Sequence, residues 1–119
     1  MDDRSIQLLR YIRNEAILIS TFVDGIDFCC FIGNEEKKHA VAMALANIGE
    51  AERLVSDDIK RKYSDVPWVE IRATRNMIAH AYQAVSFYMI WQTAIESIPE
   101  LILSLDNIIL NESSGIVDR

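Results

Sequence analysis

The apolar residues of this chain recur at steps of three and four almost from end to end, and that spacing is what most narrows the folds open to it. Leu9, Ile12, Ala16, Ile19 and Val23 trace one such stripe, and Val41, Ala44, Ile48, Ala51, Val55 and Ile59 trace another. A step of three or four places side chains on one face of an α-helix, whereas a strand would need alternation by two. Four glycines and two prolines leave little material for a turn-rich β fold. The expectation is an all-α chain: an antiparallel up-and-down helical bundle of about four main helices with short accessory helices. At 119 residues it is read as a single domain, 1–119, able to bury one core.

Boundaries follow from capping chemistry. Asp2 or Asp3 opens the first helix and Gly25 stops it. Ile26 to Ile32 reads as a single helical turn over the core. Gly33-Asn34 gives a break and a new N-cap, with Glu35 and Glu36 in the favoured first turn. The second long helix is predicted from about Glu35 to Tyr63, ending in the basic run Lys60-Arg61-Lys62. Pro67 is expected at the first position of the next helix, which ends after His80. A further helix is predicted from about Val85 to Ser97, and Pro99 marks a kink or a new start. Leu101, Leu105 and Ile108 pack the last helix, and 110–119 reads as a frayed tail.

Composition excludes several classes. The formal net charge is -6, so bulk electrostatics do not draw this chain to nucleic acid, and any such activity needs a local basic cleft. No apolar run is long enough to span a bilayer, so no membrane partner is expected. Met1-Asp2-Asp3-Arg4 lacks the basic start of a signal peptide, which favours the cytoplasm. Cys29 and Cys30 are adjacent, do not make a metal motif, and read as two semi-buried reduced thiols. His39 and His80 lie far apart without a second ligand at metal spacing, so neither a metal nor another cofactor is expected.

The chemistry concentrates in Arg75-Asn76-Met77-Ile78-Ala79-His80-Ala81-Tyr82. On one helix Arg75 and Tyr82, seven apart, share a face, while His80 points about 140° away from Arg75. Either the helix ends near His80, or a second copy of the chain supplies the missing partner. Histidine exchanges protons near neutrality, and the planar fork of arginine holds two phosphate oxygens. From the spacing alone the pair is either a surface cation and a satisfied histidine, or a kit for RNA cleavage, in which the 2′-hydroxyl of the substrate attacks the adjacent phosphate and leaves a 2′,3′-cyclic phosphate. Asn47 and Glu50 border the apolar face of the second long helix. They either form a solvated edge, with Glu50 paired to Arg53, or line a cleft opposite Arg75 and His80.

Arg75, four residues, His80, one residue, Tyr82 resembles the Rx4HxY signature of the HEPN superfamily. Asn47-Ile48-Gly49-Glu50-Ala51, Val66-Pro67-Trp68, Trp91 and Ile98-Pro99-Glu100-Leu101 resemble further motifs of its HepT-like branch. That branch is the toxin half of the HepT/MntA toxin–antitoxin pair. The ordered set spans roughly residues 5 to 110. The resemblance implies a HEPN-like helical fold and a homodimer whose two Arg–His pairs face a shared cleft. It implies a metal-independent endoribonuclease toxin of a type VII-like system. Carried over by position, Arg75 holds the scissile phosphate and His80 acts as general acid/base or orients the phosphate. Asn76 positions RNA or fixes Arg75. Tyr82 becomes the acceptor of AMP from a cognate minimal nucleotidyltransferase antitoxin, or else packs with its hydroxyl bonded. A different class remains open: a non-catalytic helical dimer that binds a nucleotide or docks such a nucleotidyltransferase.

Overall fold

The computed structural model describes the backbone of residues 3–117 and the side chains of residues 4–113. Seven α-helices are described, and no strand occurs among the described residues: α1 (Asp3–Val23), α2 (Phe28–Ile32), α3 (Glu35–Glu52), α4 (Asp57–Lys62), α5 (Trp68–Ala81), α6 (Phe87–Gln92) and α7 (Ile98–Val117). A 3-10 turn, Tyr82–Ala84, follows α5, and a π-helical turn, Thr93–Ser97, joins α6 to α7.

Helix α1 packs between α7 and α3, and α3 packs in turn against α5. Direction follows from paired residues. Lys37 Nζ donates to the Phe22 carbonyl and Asn47 donates to Glu15, so α3 runs back along α1. Arg72 reaches Glu52 while Tyr82 meets His39, so α5 runs back along α3. The expected stripes form the core: Leu9, Ile12, Ala16 and Ile19 from α1 meet Val41, Ala44 and Ile48 from α3 and Leu105 and Ile108 from α7. Each large aliphatic side chain buried in this way contributes on the order of 2 kcal/mol. Helix α2 is held by Phe31, which is fully buried, and by Phe28, whose rings lie against Trp91 and Tyr88 of α6.

The local stops are physical. Gly25 takes φ 74°, a left-handed conformation that releases α1. Asn34 caps α3 by accepting from Lys37 N–H. Pro67 precedes α5 instead of opening it, one residue from expectation.

Three expectations need correction. The helix predicted from Glu35 to Tyr63 is two helices: α3 ends at Glu52, and Ser56 starts α4 by accepting from Ile59 N–H, with Asp57 and Asp58 in its first turn. Val55 and Ile59 are buried as expected, because the break keeps both segments facing the core. Pro99 stands in the first turn of α7, one residue from the new start expected of it. The chain is helical on both sides of it, and the preceding turn widens so that Ile98 N–H bonds Thr93 O, which accommodates the ring and the missing N–H. The tail expected to fray from 110 continues as α7 to Val117, anchored where Lys62 Nζ and the Tyr63 hydroxyl both donate to Glu112; residues 118 and 119 lie outside the described residues. Cys29 and Cys30 are free thiols but exposed, because α2 turns Phe28 and Phe31 inward instead. The capping role assigned to Asp2 or Asp3 also lies outside the described side chains. No helix among the described residues is long and apolar enough to cross a membrane.

Candidate functional site

Helix α5 carries both Arg75 and His80, and it stops one residue after His80. Its burial pattern is shallow. Trp68 and Ile78 are buried, Ile71, Arg75 and Met77 are half-buried, and His80 is exposed. Because helix runs unbroken through both, the five-residue step sets His80 about 140° around the axis from Arg75.

Arg75 lies in the seam between α5 and α3. Its Nη2 is 3.1 Å from Glu50 Oε2, and its Nη1 donates to Asn76 Oδ1 at 3.2 Å. The seam is tight because position 49 of α3 is glycine, directly against the Arg75 side chain and the Ile71 carbonyl. Glu50 also takes Arg53 Nη2 at 2.7 Å. The Arg53 hydrogen bond and charge, with a smaller contribution from Arg75, hold its carboxyl below the usual carboxylate range. Glu50 thus pairs with Arg53, as one sequence reading had it, and it also contacts Arg75, one of the two residues that the other reading set across a cleft from it. Asn47 is turned the other way, donating to Glu15 Oε1 of α1 at 2.8 Å. It borders a shallow surface depression with Glu50, Tyr11 and Leu54. The structure thus gathers Arg75, Asn76 and Glu50, while Asn47 is tied to α1 and His80 projects to solvent.

Tyr82 opens the 3-10 turn behind α5. Its ring meets the edges of His39 and Phe87, with centroids at 5.5 and 5.8 Å. Its hydroxyl is buried and has no hydrogen-bond partner among the described residues. Packing is as one sequence reading expected, but the bonded hydroxyl is not found.

Three features escaped the sequence reading. His39 sits beside Tyr82, with Nδ1 2.7 Å from the Glu35 carbonyl. Gly49 shapes the Arg75 seam. Glu52, 1% exposed, receives Lys60 Nζ at 2.7 Å and Arg72 Nε and Nη2 at 2.9 and 3.2 Å. Its hydrogen bond and charge raise the Arg72 pKa. A signal existed for Glu52: it falls between Ile48 and Val55 on the core stripe. A carboxylate on an apolar stripe asks for a buried cation. Among the described residues no group of three or more His, Cys, Asp or Glu stands close enough to hold a metal ion.

A family model described as Ribonuclease HepT-like matches residues 12–108. The chain belongs to the HepT-like ribonuclease family. A protein of Methanocaldococcus jannaschii named as an RNase is 32% identical over 102 residues, covering 85% of this chain and 94% of its own. One from Caldanaerobacter subterraneus subsp. tengcongensis, also named as an RNase, is 33% identical over 104 residues, covering 87% and 93%. A protein of Thermococcus cleftensis named as a ribonuclease HepT is 39% identical over 88 residues, covering 73% and 80%. No solved structure gives a significant match. The segment matched by the HepT-like family holds Asn47, Glu50, Arg75, Asn76, His80 and Tyr82.

Proposed function

We propose that this chain is a metal-independent endoribonuclease, the toxin of a two-component system, acting in the cytoplasm as a homodimer whose shared cleft joins Arg75 and His80. The observation that carries the reading is the set of Arg75. Glu50 and Asn76 hold its two terminal nitrogens from either side, which pre-orients a planar fork toward a phosphate. In this reading Arg75 stabilises charge on the scissile phosphate. His80, free of packing, moves the proton of the 2′-hydroxyl or of the leaving 5′-oxygen. The nucleophile belongs to the substrate, so the protein supplies positioning, charge stabilisation and proton transfer. Family membership and the RNase names of the relatives support the substrate class.

Purified dimer incubated with RNA in EDTA is expected to cleave, leaving 2′,3′-cyclic phosphate ends. Arg75→Ala and His80→Ala are each expected to lower the rate by about 10²-fold or more while the fold persists. Full-rate cleavage by His80→Ala would remove the catalytic assignment.

Control by a nucleotidyltransferase is part of the proposal, with Tyr82 the acceptor of AMP. The hydroxyl is buried, so transfer requires the 3-10 turn to lift it out first. AMP would then bring bulk and negative charge toward the arginine that RNA needs. Intact mass after co-expression tests this; a Tyr82→Phe protein that gains the same AMP mass is modified elsewhere. The net charge of -6 favours a second reading, a non-catalytic dimer that binds a nucleotide or docks the nucleotidyltransferase. Affinity for either without RNA turnover by partner-free protein would select it.

A further inference from the structure

An acidic protein that acts on RNA must gather cations where the strand lies. Beside the motif helix, a cleft of about 440 Å³ opens between α4 and α5, lined by Asp57, Lys60, Trp68, Arg72 and Asn76 with Glu52 at its floor. Glu52 is buried and both its oxygens are engaged, one by Arg72 Nε and the other by Lys60 Nζ and Arg72 Nη2. Two cations on one carboxylate leave one positive charge around Glu52, which Asp57 on the same cleft offsets, so an anion there is held by the free face of Arg72 and not by net charge. The Arg72 side chain is 48% exposed, and its Nη1 makes no bond to Glu52. Arg72 and Asn76, four apart, stand on one face of α5. Asn76 in turn accepts from Arg75, so one hydrogen bond links the wall of the cleft to the motif arginine. Asp57, in the first turn of α4, sets a negative charge on the same cleft and opposes an anion there. A second cleft, between α1 and α7, holds Arg10 and Arg13, but Arg13 is paired with Asp106 and the lining includes no residue of α5.

We propose that the α4–α5 cleft is a phosphate subsite for single-stranded RNA, in which Arg72 and Lys60, with Asn76, hold a backbone phosphate flanking the one at Arg75. The proposal rests on the ribonuclease reading above and adds to it the direction of the strand across the surface. The substrate runs from Arg75 along α5 toward its N-terminal half and over α4. Glu52 orients both cations, and Asp57 limits the affinity.

Length of substrate tests it. A dinucleotide spans only the scissile phosphate, whereas a single strand of about ten nucleotides reaches a flanking site. Arg72→Gln is expected to lower kcat/KM on the longer strand about tenfold, mainly through KM, because one charge-assisted contact is lost. It should leave the dinucleotide unaffected. The log–log salt slope of binding for the longer strand should shrink by about 0.7, the share of one single-strand phosphate contact. Asp57→Asn should act in the opposite sense, raising affinity for the longer strand and leaving the dinucleotide alone. Arg72→Gln leaves Glu52 paired with Lys60 at 2.7 Å, so the buried carboxylate keeps a cation, and an unchanged urea midpoint should accompany the loss on the longer strand. Equal loss on both substrates, or no loss on the longer one, would overturn the subsite. Titration of a labelled ten-nucleotide strand separates the two readings. Wild-type protein that binds it without cutting removes the ribonuclease reading alone, and the subsite is then judged by the affinities of the same variants. Wild-type protein that neither binds nor cuts removes both.

Discussion

A Cβ built on Gly49 would stand 2.2 Å from the Cβ of Arg75, 2.9 Å from its Cγ and 3.0 Å from the Ile71 carbonyl oxygen. None of these atoms is the far end of a flexible side chain, so the backbones of α3 and α5 would have to separate. Gly49→Ala sets two effects against each other. Alanine in a helix interior is favoured over glycine by about 1 kcal/mol, and overpacking a close helix contact costs about 1–3 kcal/mol. Contact with backbone and near-backbone atoms lies at the costly end of that range, so the net expectation is a loss of about 1–2 kcal/mol, seen as a lower urea midpoint. The rate should fall more than stability implies, because the shift displaces Arg75 itself. An unchanged midpoint with an unchanged rate would mean that the seam does not position the arginine. Arg75 and Glu50 were both legible as chemistry in the sequence. Their approach was legible only as one of two open readings, since it depends on which faces of α3 and α5 meet. A mid-helix glycine was the one local hint, and its partner lay 26 positions away.

At the scale of elements, the sequence reading placed the core stripes correctly and misjudged continuity. Ser56-Asp57-Asp58 carries an N-cap signature, but Val55 and Ile59 extend the stripe of α3 across it, and periodicity alone cannot distinguish one helix from two that bury the same side. The tail was misread for a related reason. Asn111-Glu112-Ser113 is polar, yet Glu112 is a tertiary anchor, 2.6 Å from the Tyr63 hydroxyl and 2.9 Å from Lys62 Nζ. The Tyr63 hydrogen bond, then that of Lys62, holds the Glu112 carboxyl below its usual 4.5. A carboxyl depressed in the folded state stabilises fully above its unfolded pKa and loses that contribution as pH falls through the lower native value. The α4–α7 anchor should therefore hold at neutral pH and weaken on acidification below about pH 4.5. Glu112→Gln is expected to cost about 1 kcal/mol at pH 7, and the difference from wild type should shrink as pH falls through that window in parallel urea melts. A difference that stays constant as pH falls through that window would assign the loss to packing instead of charge. The π turn before Pro99 shows the same limit in backbone form: the proline was legible as a kink or a new start, whereas the widening of the turn before it was not.

At the scale of the whole molecule, the arrangement of α5 bears on the proposed shared cleft. The helix is continuous through Arg75 and His80, with Arg75 turned into the α3 seam and His80 turned to solvent. Within one chain the two groups diverge, and their roles converge only if a second chain brings its own α5 alongside. Mixing subunits tests this directly. Arg75→Ala and His80→Ala homodimers are each expected to be inactive, since every site lacks one group. If each site takes Arg75 from one chain and His80 from the other, a mixed dimer of the two variants contains one site with both groups and one with neither. Refolding or co-expressing the two in equal amounts then yields about half mixed dimers by random pairing. These should restore about a quarter of wild-type activity, because half the dimers carry one working site of two; this is far above the residue of about a hundredth left by loss of a catalytic proton-transfer group. If each site instead uses Arg75 and His80 of the same chain, every site in the mixture lacks one group and activity stays at the level of the separate variants. Tagging the two variants differently and isolating the mixed species removes dependence on the pairing ratio, so that the absence of rescue in a verified mixed dimer would assign both groups to one chain.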